Sequence, residues 1–122
     1  MIPPASRTDS GRRAEGAAAA YLEAGGWTVL ARNWRGGPGE LDLVAARGPV
    51  LAFVEVKRVD AYGMESLSDS VGPRKRQRVV ETAKLFLSLN RQLSMMAQRF
   101  DVVAVRGEKV AAHIEGAFGE RA

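Results

Sequence analysis

The chain has 122 residues, with 18 Lys and Arg against 14 Asp and Glu, for a formal net charge of +4. That length makes one domain and excludes separate cofactor and substrate domains. Apolar residues, at 46%, supply an ordinary core and argue against wholesale disorder. Only four of the basic residues are Lys (Lys57, Lys75, Lys84 and Lys109); fourteen are Arg. Arg forks onto phosphate, so a small Arg-rich domain suits nucleic acid, although the same net charge also suits a plain soluble surface. The chain has no cysteine, which excludes disulfides, thiolate metal sites and cysteine nucleophiles. A single histidine, His113, argues against a multi-histidine metal site or a protease-type triad and reads as a structural or exposed residue. No apolar run approaches the ~18 residues needed to span a bilayer, and Met1 to Asp9 lacks the apolar segment of a signal peptide. These features point to a cytoplasmic protein.

Residues 1–9 read as a flexible leader, 10–118 as one domain and 119–122 as a tail. From Ser10 to Ala24, Ala14, Ala17, Ala18, Tyr21 and Leu22 recur at helical spacing, and Gly25-Gly26 supplies a stop. Three strand-like segments follow at Trp27–Asn33, Glu40–Arg47 and Val50–Lys57, joined by Gly- and Pro-containing turns that predict consecutive antiparallel pairing. A Gly-, Ser- and Asp-rich loop covers roughly 59–72. Pro73 suits the first position of a second helix. Val79, Ala83, Phe86, Leu87 and Asn90 lie near one face of it, with Arg74, Arg78 and Glu81 opposite. Residues 91–98 read as a helical turn or a loop. Phe100–Arg106 and Lys109–Ile114 read as the last two strands, with an unassigned tail from Glu115. The order α-β-β-β-α-β-β predicts an α/β fold, a mixed sheet flanked by helices, in which the second helix returns the fourth strand parallel to a hairpin strand.

Two strands carry acids where strands disfavour them: Gly39-Glu40-Leu41-Asp42-Leu43-Val44 and Val54-Glu55-Val56-Lys57. An ionised carboxylate within an apolar sheet costs several kcal/mol or more, on the order given for buried ions, unless it is paired or bound to metal. By alternation Glu40 and Asp42 share a face, as do Glu55 and Lys57. A hairpin aligning those faces would gather three carboxylates and an ammonium. Such a group suits an oxygen-ligated Mg²⁺ or Mn²⁺ at a site that hydrolyses phosphodiesters. A minor surface pair of Glu55 and Lys57 is the plainer alternative, but Val50 to Val56 is almost wholly apolar, as in a strand buried on both faces. Glu15 borders the apolar stripe of the first helix. It reads either as a third acid reaching the sheet or as an acid favoured by the helix dipole.

Arg74, Lys75, Arg76 and Arg78 crowd the start of the second helix. Cations there oppose the dipole, at about 0.3–1 kcal/mol each. An anion at the helix start, where free N–H groups favour phosphate, would reverse that cost. Arg35 and Arg58 would extend the patch. Trp34 and Tyr62, expected in loops, are candidates for base stacking.

The Gly39–Val44 and Phe53–Lys57 motifs together resemble the UPF0102 (YraN) family of small bacterial proteins. Gly11-Arg12-Arg13-Ala14-Glu15 with Ala18, Tyr21 and Leu22 looks like its opening helix, and Asn33-Trp34 like the segment before its Gly-Glu motif. Lys75 and Arg78 are similar to its basic helix, Arg99-Phe100-Asp101-Val102-Val103 to its late strand, and His113-Ile114-Glu115 with Ala117-Phe118 to its C-terminal signature. The likeness covers roughly 11–118. That family is similar to Holliday-junction-resolvase-like nucleases of the PD-(D/E)XK superfamily, which have a restriction-endonuclease-like fold. The resemblance implies Asp42 as the metal-binding Asp, Glu55 and Lys57 as the (D/E)XK pair, and Glu15 as the helical acid completing the site; Glu40, from its place on the face of Asp42, is a further candidate metal-side acid. It implies DNA as the partner, branched or recombining DNA among its forms, and a homodimer by analogy with junction enzymes. Family members often carry Lys-x-Arg after the Glu-Val; here Arg58 and then Val59 follow Lys57. The expected function is a Mg²⁺- or Mn²⁺-dependent endonuclease, in which Arg74, Lys75, Arg78, Arg35 and Arg58 bind nucleic acid. The alternatives are a nuclease-fold adaptor that binds DNA without cutting and a protein of an RNA assembly. The acid cluster argues against the latter, because carboxylates repel a phosphate backbone unless a cation intervenes.

Overall fold

A computed structural model describes residues 9–59 and 72–119. Residues 1–8 of the expected leader, most of the 59–72 loop including Tyr62, and most of the expected tail lie outside the described residues. The element order is α1 (Asp9–Ala24), β1 (Thr28–Gly36), β2 (Gly39–Arg47), β3 (Val50–Arg58), α2 (Pro73–Leu89), a 3-10 turn (Arg91–Met95), β4 (Ala97–Arg106) and β5 (Lys109–Phe118). The five strands form one sheet in chain order. β1–β2, β2–β3 and β4–β5 pair antiparallel, while β3 and β4 run parallel after the crossover that carries α2. This is the α/β mixed sheet with the α-β-β-β-α-β-β order expected from the sequence.

Each helix covers one face of the sheet. Alternation sends Leu43, Ala45, Ala52 and Val54 to a core with Ala14, Ala18, Ala19 and Leu22 of α1. Small residues on that stripe let α1 approach the strands closely. Val44, Leu51 and Phe53 face the other way and pack with Val79, Ala83, Phe86 and Leu87 of α2. Full burial of a side chain such as Leu22 or Phe53 contributes about 1.5–3 kcal/mol. Phe53 stacks on Phe100 and Phe100 on Phe118, both with centroids 5.3 Å apart, which ties β3, β4 and β5 together on the α2 side.

Several elements run further than periodicity suggested. β1 continues to Gly36, and Trp34, expected in a loop, sits within the strand. Its ring meets Phe86 edge-on at 5.2 Å, so it is a packing residue of the α2 core. Gly36 pairs with Gly39 across a two-residue turn in which Gly37 has φ +58°, a conformation glycine takes without strain. β4 starts at Ala97, because the parallel register sets Ala97 beside Val50 and Phe100 beside Phe53. β5 extends to Phe118, with Gly116 at φ +59° absorbing an irregularity opposite Phe100 and Val102. No helix among the described residues is long and apolar enough to cross a membrane.

Candidate functional site

The site lies where β2 and β3 part. Their main-chain pairing runs from Arg47–Val50 to Leu43–Val54. One step further stand Asp42 and Glu55. There the Val56 N–H donates not to a strand carbonyl but to Asp42 Oδ2, at 2.9 Å. The Asp42 side chain thus replaces a ladder hydrogen bond and pins itself to the strand that carries Glu55. Asp42 and Glu55 are both buried, 9% and 3% exposed.

A cavity of about 240 Å³ opens at this point, lined by Gly39, Glu40, Asp42, Glu55, Lys75, Arg78 and Val79. Its far wall is the start of α2. Gly39 allows that wall to come close: a Cβ there would stand 3.2 Å from Thr82 Oγ1 and 3.7 Å from Arg78 Cβ. Thr82, fully buried beneath, donates its hydroxyl to the Arg78 carbonyl at 2.7 Å. The Lys75 ammonium reaches across the cavity to Glu55 Oε1, 3.2 Å away. At the rim, Arg35 Nε lies 3.5 Å from Glu40 Oε2.

Burial pushes the Glu55 carboxyl up from its ordinary 4.5 to about 7. The neighbouring charges of Asp42 and Glu40 push the same way, and Lys75 only partly offsets them. Two acids forced together in a low-dielectric setting make a site that gains from a further cation. Among the described residues no three His, Cys, Asp or Glu side chains form a metal-binding group of their own. The donor set nevertheless fits Mg²⁺ or Mn²⁺, which bind through one or two carboxylates and keep waters and substrate phosphates as their other ligands.

The cavity therefore brings together Glu40, Asp42, Glu55, Lys75 and Arg78 of the expected site residues. Lys57 lies two residues beyond Glu55 on β3, half-buried, paired in register with Ala104. Glu15 is buried, 6% exposed, on α1, the helix of the opposite face. Neither lines the cavity. Arg74 is exposed on the first turn of α2, and Arg58 is exposed at the end of β3. The ammonium beside the acids is thus Lys75 of the helix. The crowding of cations at the helix start is answered in part by the protein's own carboxylates. Arg76, also of that turn, lies over the Phe118 ring, 5.8 Å from its centroid.

A further buried acid is not among the residues expected at the site. Asp101 is fully buried on β4. Its oxygens accept from Arg99 Nε and an Arg99 terminal nitrogen, both at 2.9 Å, and from the Gly116 N–H at 3.0 Å. His113 Nε2 lies 2.8 Å from Oδ2, and the other His113 nitrogen lies 3.0 Å from the Tyr21 hydroxyl. His113 is therefore structural, held between β4 and α1. The signal was available, since Asp101 is an acid in an apolar strand just as Glu55 is. The two differ in what surrounds them. Asp101 has both oxygens occupied by donors, so it serves packing, whereas Asp42 and Glu55 face a cavity.

The profile described as uncharacterised protein family UPF0102 matches residues 14–105. A UPF0102 protein of Myxococcus xanthus is 42% identical over 118 residues, covering 94% of this chain and 93% of the relative. One from Azorhizobium caulinodans is 42% identical over 108 residues, covering 88% and 81%. One from Treponema pallidum (strain Nichols) is 39% identical over 94 residues, covering 77% and 75%.

Proposed function

The chain belongs to the UPF0102 family, and within it we propose that this protein is a Mg²⁺- or Mn²⁺-dependent endonuclease acting on DNA phosphodiesters, branched DNA among them. The observation that carries this reading is the convergence of Asp42 and Glu55 at the parting of β2 and β3, beneath a wall of cationic side chains. Acids alone repel a phosphodiester, and cations alone bind it without chemistry; here both line one cavity.

In this reading Asp42 and Glu55 hold the cation, with Glu40 at the rim and Glu15 from α1 as supporting acids. When bound, the divalent cation lowers the pKa of a water ligand and offsets phosphate charge. The Val56 N–H keeps the Asp42 carboxylate oriented, so that no rotamer search precedes binding. Lys57, half-buried two residues beyond Glu55 and outside the cavity lining, is the ammonium this reading assigns to orienting the attacking water and offsetting charge on the phosphate. Arg74 and Arg78, and Arg58 at the end of β3, bind the flanking phosphates as forked donors. Arg35 extends that surface from its position beside Glu40.

The test is nicking of junction, duplex and single-stranded DNA, with RNA alongside, in Mg²⁺ and in Mn²⁺. Cleavage that disappears in Asp42→Asn and in Lys57→Ala is expected. Absence of cleavage across substrates and metals overturns the catalytic reading. The second reading, an adaptor that binds DNA without cutting, draws on the basic first turn of α2, which carries no acid. It expects Arg74→Ala with Arg78→Ala to abolish DNA binding while Asp42→Asn leaves function intact.

A further inference from the structure

The Lys75 ammonium sits 3.2 Å from Glu55 Oε1, in the cavity that the Proposed function assigns to a divalent cation. The two partners differ in freedom. The Glu55 side chain is 4% exposed and fixed in the sheet, while that of Lys75 is 45% exposed and springs from the first turn of a surface helix. A four-carbon stem carrying a point charge can leave at small cost; the carboxylate cannot. Arg78 lines the same cavity, and Arg74 is exposed on the same turn. A phosphate arriving there meets Lys75 and the two arginines together.

We propose that Lys75 is the internal counter-cation of the carboxylate cavity, competing with the divalent cation until a phosphate-bearing strand draws its ammonium outward. Lys75 is thereby a positioning residue that couples metal loading to nucleic-acid binding. With the ammonium on Glu55, an incoming cation must displace a charge already paired in a buried setting. With the ammonium on a phosphate, Glu55 loses the counter-charge that Lys75 gives it, beside the Asp42 carboxylate that already raises its carboxyl. Cation and nucleic acid then favour each other's binding, and by linkage the enhancement is the same in both directions. The competition is local, because among the described residues no other lysine lines the cavity.

This inference rests on the reading of Asp42 and Glu55 as a cation site, so the experiment separates the two. Calorimetric titration with Ca²⁺, which avoids turnover, is run on the full chain with and without a short duplex DNA. The variants are Lys75→Met, which keeps the apolar stem, and Asp42→Asn. Without DNA, Lys75→Met is expected to bind Ca²⁺ at least threefold more tightly than the native chain. With DNA, the native chain gains affinity and Lys75→Met gains little. Equal or weaker Ca²⁺ binding by Lys75→Met overturns the competition while leaving the cation site intact. Undiminished Ca²⁺ binding by Asp42→Asn, or no Ca²⁺ binding by any form, overturns the site and the inference with it.

Discussion

The Asp42 carboxylate accepts the Val56 N–H at 2.9 Å, so an acid that lines the cavity also completes the hydrogen bonding of its neighbouring strand. The two roles separate by substitution. Asp42→Asn keeps an acceptor for Val56 and removes a charge that raises the Glu55 carboxyl. It is expected to fold with native stability or better while losing divalent-cation binding and any cleavage. Asp42→Ala leaves the Val56 N–H without its partner and is expected to lose about 1–3 kcal/mol of stability. Chemical denaturation of both variants beside calorimetry with Ca²⁺ distinguishes the roles. Equal destabilisation by the two changes would remove the strand-pairing role.

Glu55 gives a pH dependence of unusual sign for a carboxylate. Its carboxyl titrates near 7 in the folded chain, against an ordinary 4.5. Between those values the native state holds a proton that the unfolded state releases. Without metal, stability therefore falls as pH rises from about 4.5 to 7, by up to about 3 kcal/mol. Glu55→Gln removes this contribution. It is expected to match the native chain near pH 5 and exceed its melting temperature near pH 8, with EDTA present throughout. The two forms keeping a constant difference between pH 5 and pH 8 would count against a raised Glu55.

The legibility of this site followed the range of the interactions that build it. Acids in an apolar strand can be read locally, and Glu40, Asp42 and Glu55 line one cavity. The core stripe of α1 was legible in part: Ala14, Ala18 and Leu22 recur at helical spacing in the core, whereas Tyr21 is exposed and the buried Ala19 lay outside the expected stripe. Element ends set by partners were not. Ala97 belongs to β4 through Val50, and Trp34 belongs to β1 through Leu41, 47 and 7 positions away respectively. The ammonium beside Glu55 also depends on tertiary placement. Lys57 lies two residues from Glu55 along the chain, whereas Lys75 reaches it only because α2 packs onto β2 over Gly39. His113 carries no local signal for its partner, because Asp101 lies on the preceding strand and Tyr21 on the opposite end of the sequence.

Asp101 is expected to be an acid-sensitive anchor of the fold. Burial alone would raise its carboxyl. The Arg99 side chain, the Gly116 N–H and His113 outweigh burial and hold it below the ordinary carboxylate range. A depressed carboxyl contributes stability above its unfolded value of about 3.8, and loses that contribution as pH falls through the folded value. The native chain is expected to lose stability steeply below about pH 4. Asp101→Asn removes the buried counter-charge of Arg99, which keeps only the exposed Glu115 at 3.6 Å, and is expected to cost about 3–5 kcal/mol at neutral pH. Glu81→Gln, which alters an exposed pair with Lys84 and an exposed hydrogen bond from Gln77, serves as the control and is expected to change stability by less than about 1 kcal/mol. A cost for Asp101→Asn no larger than that of Glu81→Gln would remove the anchor.

The basic first turn of α2 makes a prediction about salt rather than pH. Each phosphate contact releases condensed counterions, so affinity for duplex DNA falls with salt at a slope of about −0.9 per contact. Arg74 and Arg78 are exposed, and the first turn of the helix carries no acid. Arg74→Ala with Arg78→Ala is therefore expected to weaken DNA binding at every sequence and to reduce the slope by about 2. Arg91→Ala, which alters an exposed residue of the 3-10 turn beyond α2, is expected to leave the slope unchanged. Fluorescence anisotropy between 50 and 200 mM salt, roughly the range over which such contacts separate clearly, reads both. A slope lowered as much per charge removed by Arg91→Ala as by the double change would mean that the protein attracts DNA through its net charge alone, with no part for the helix start.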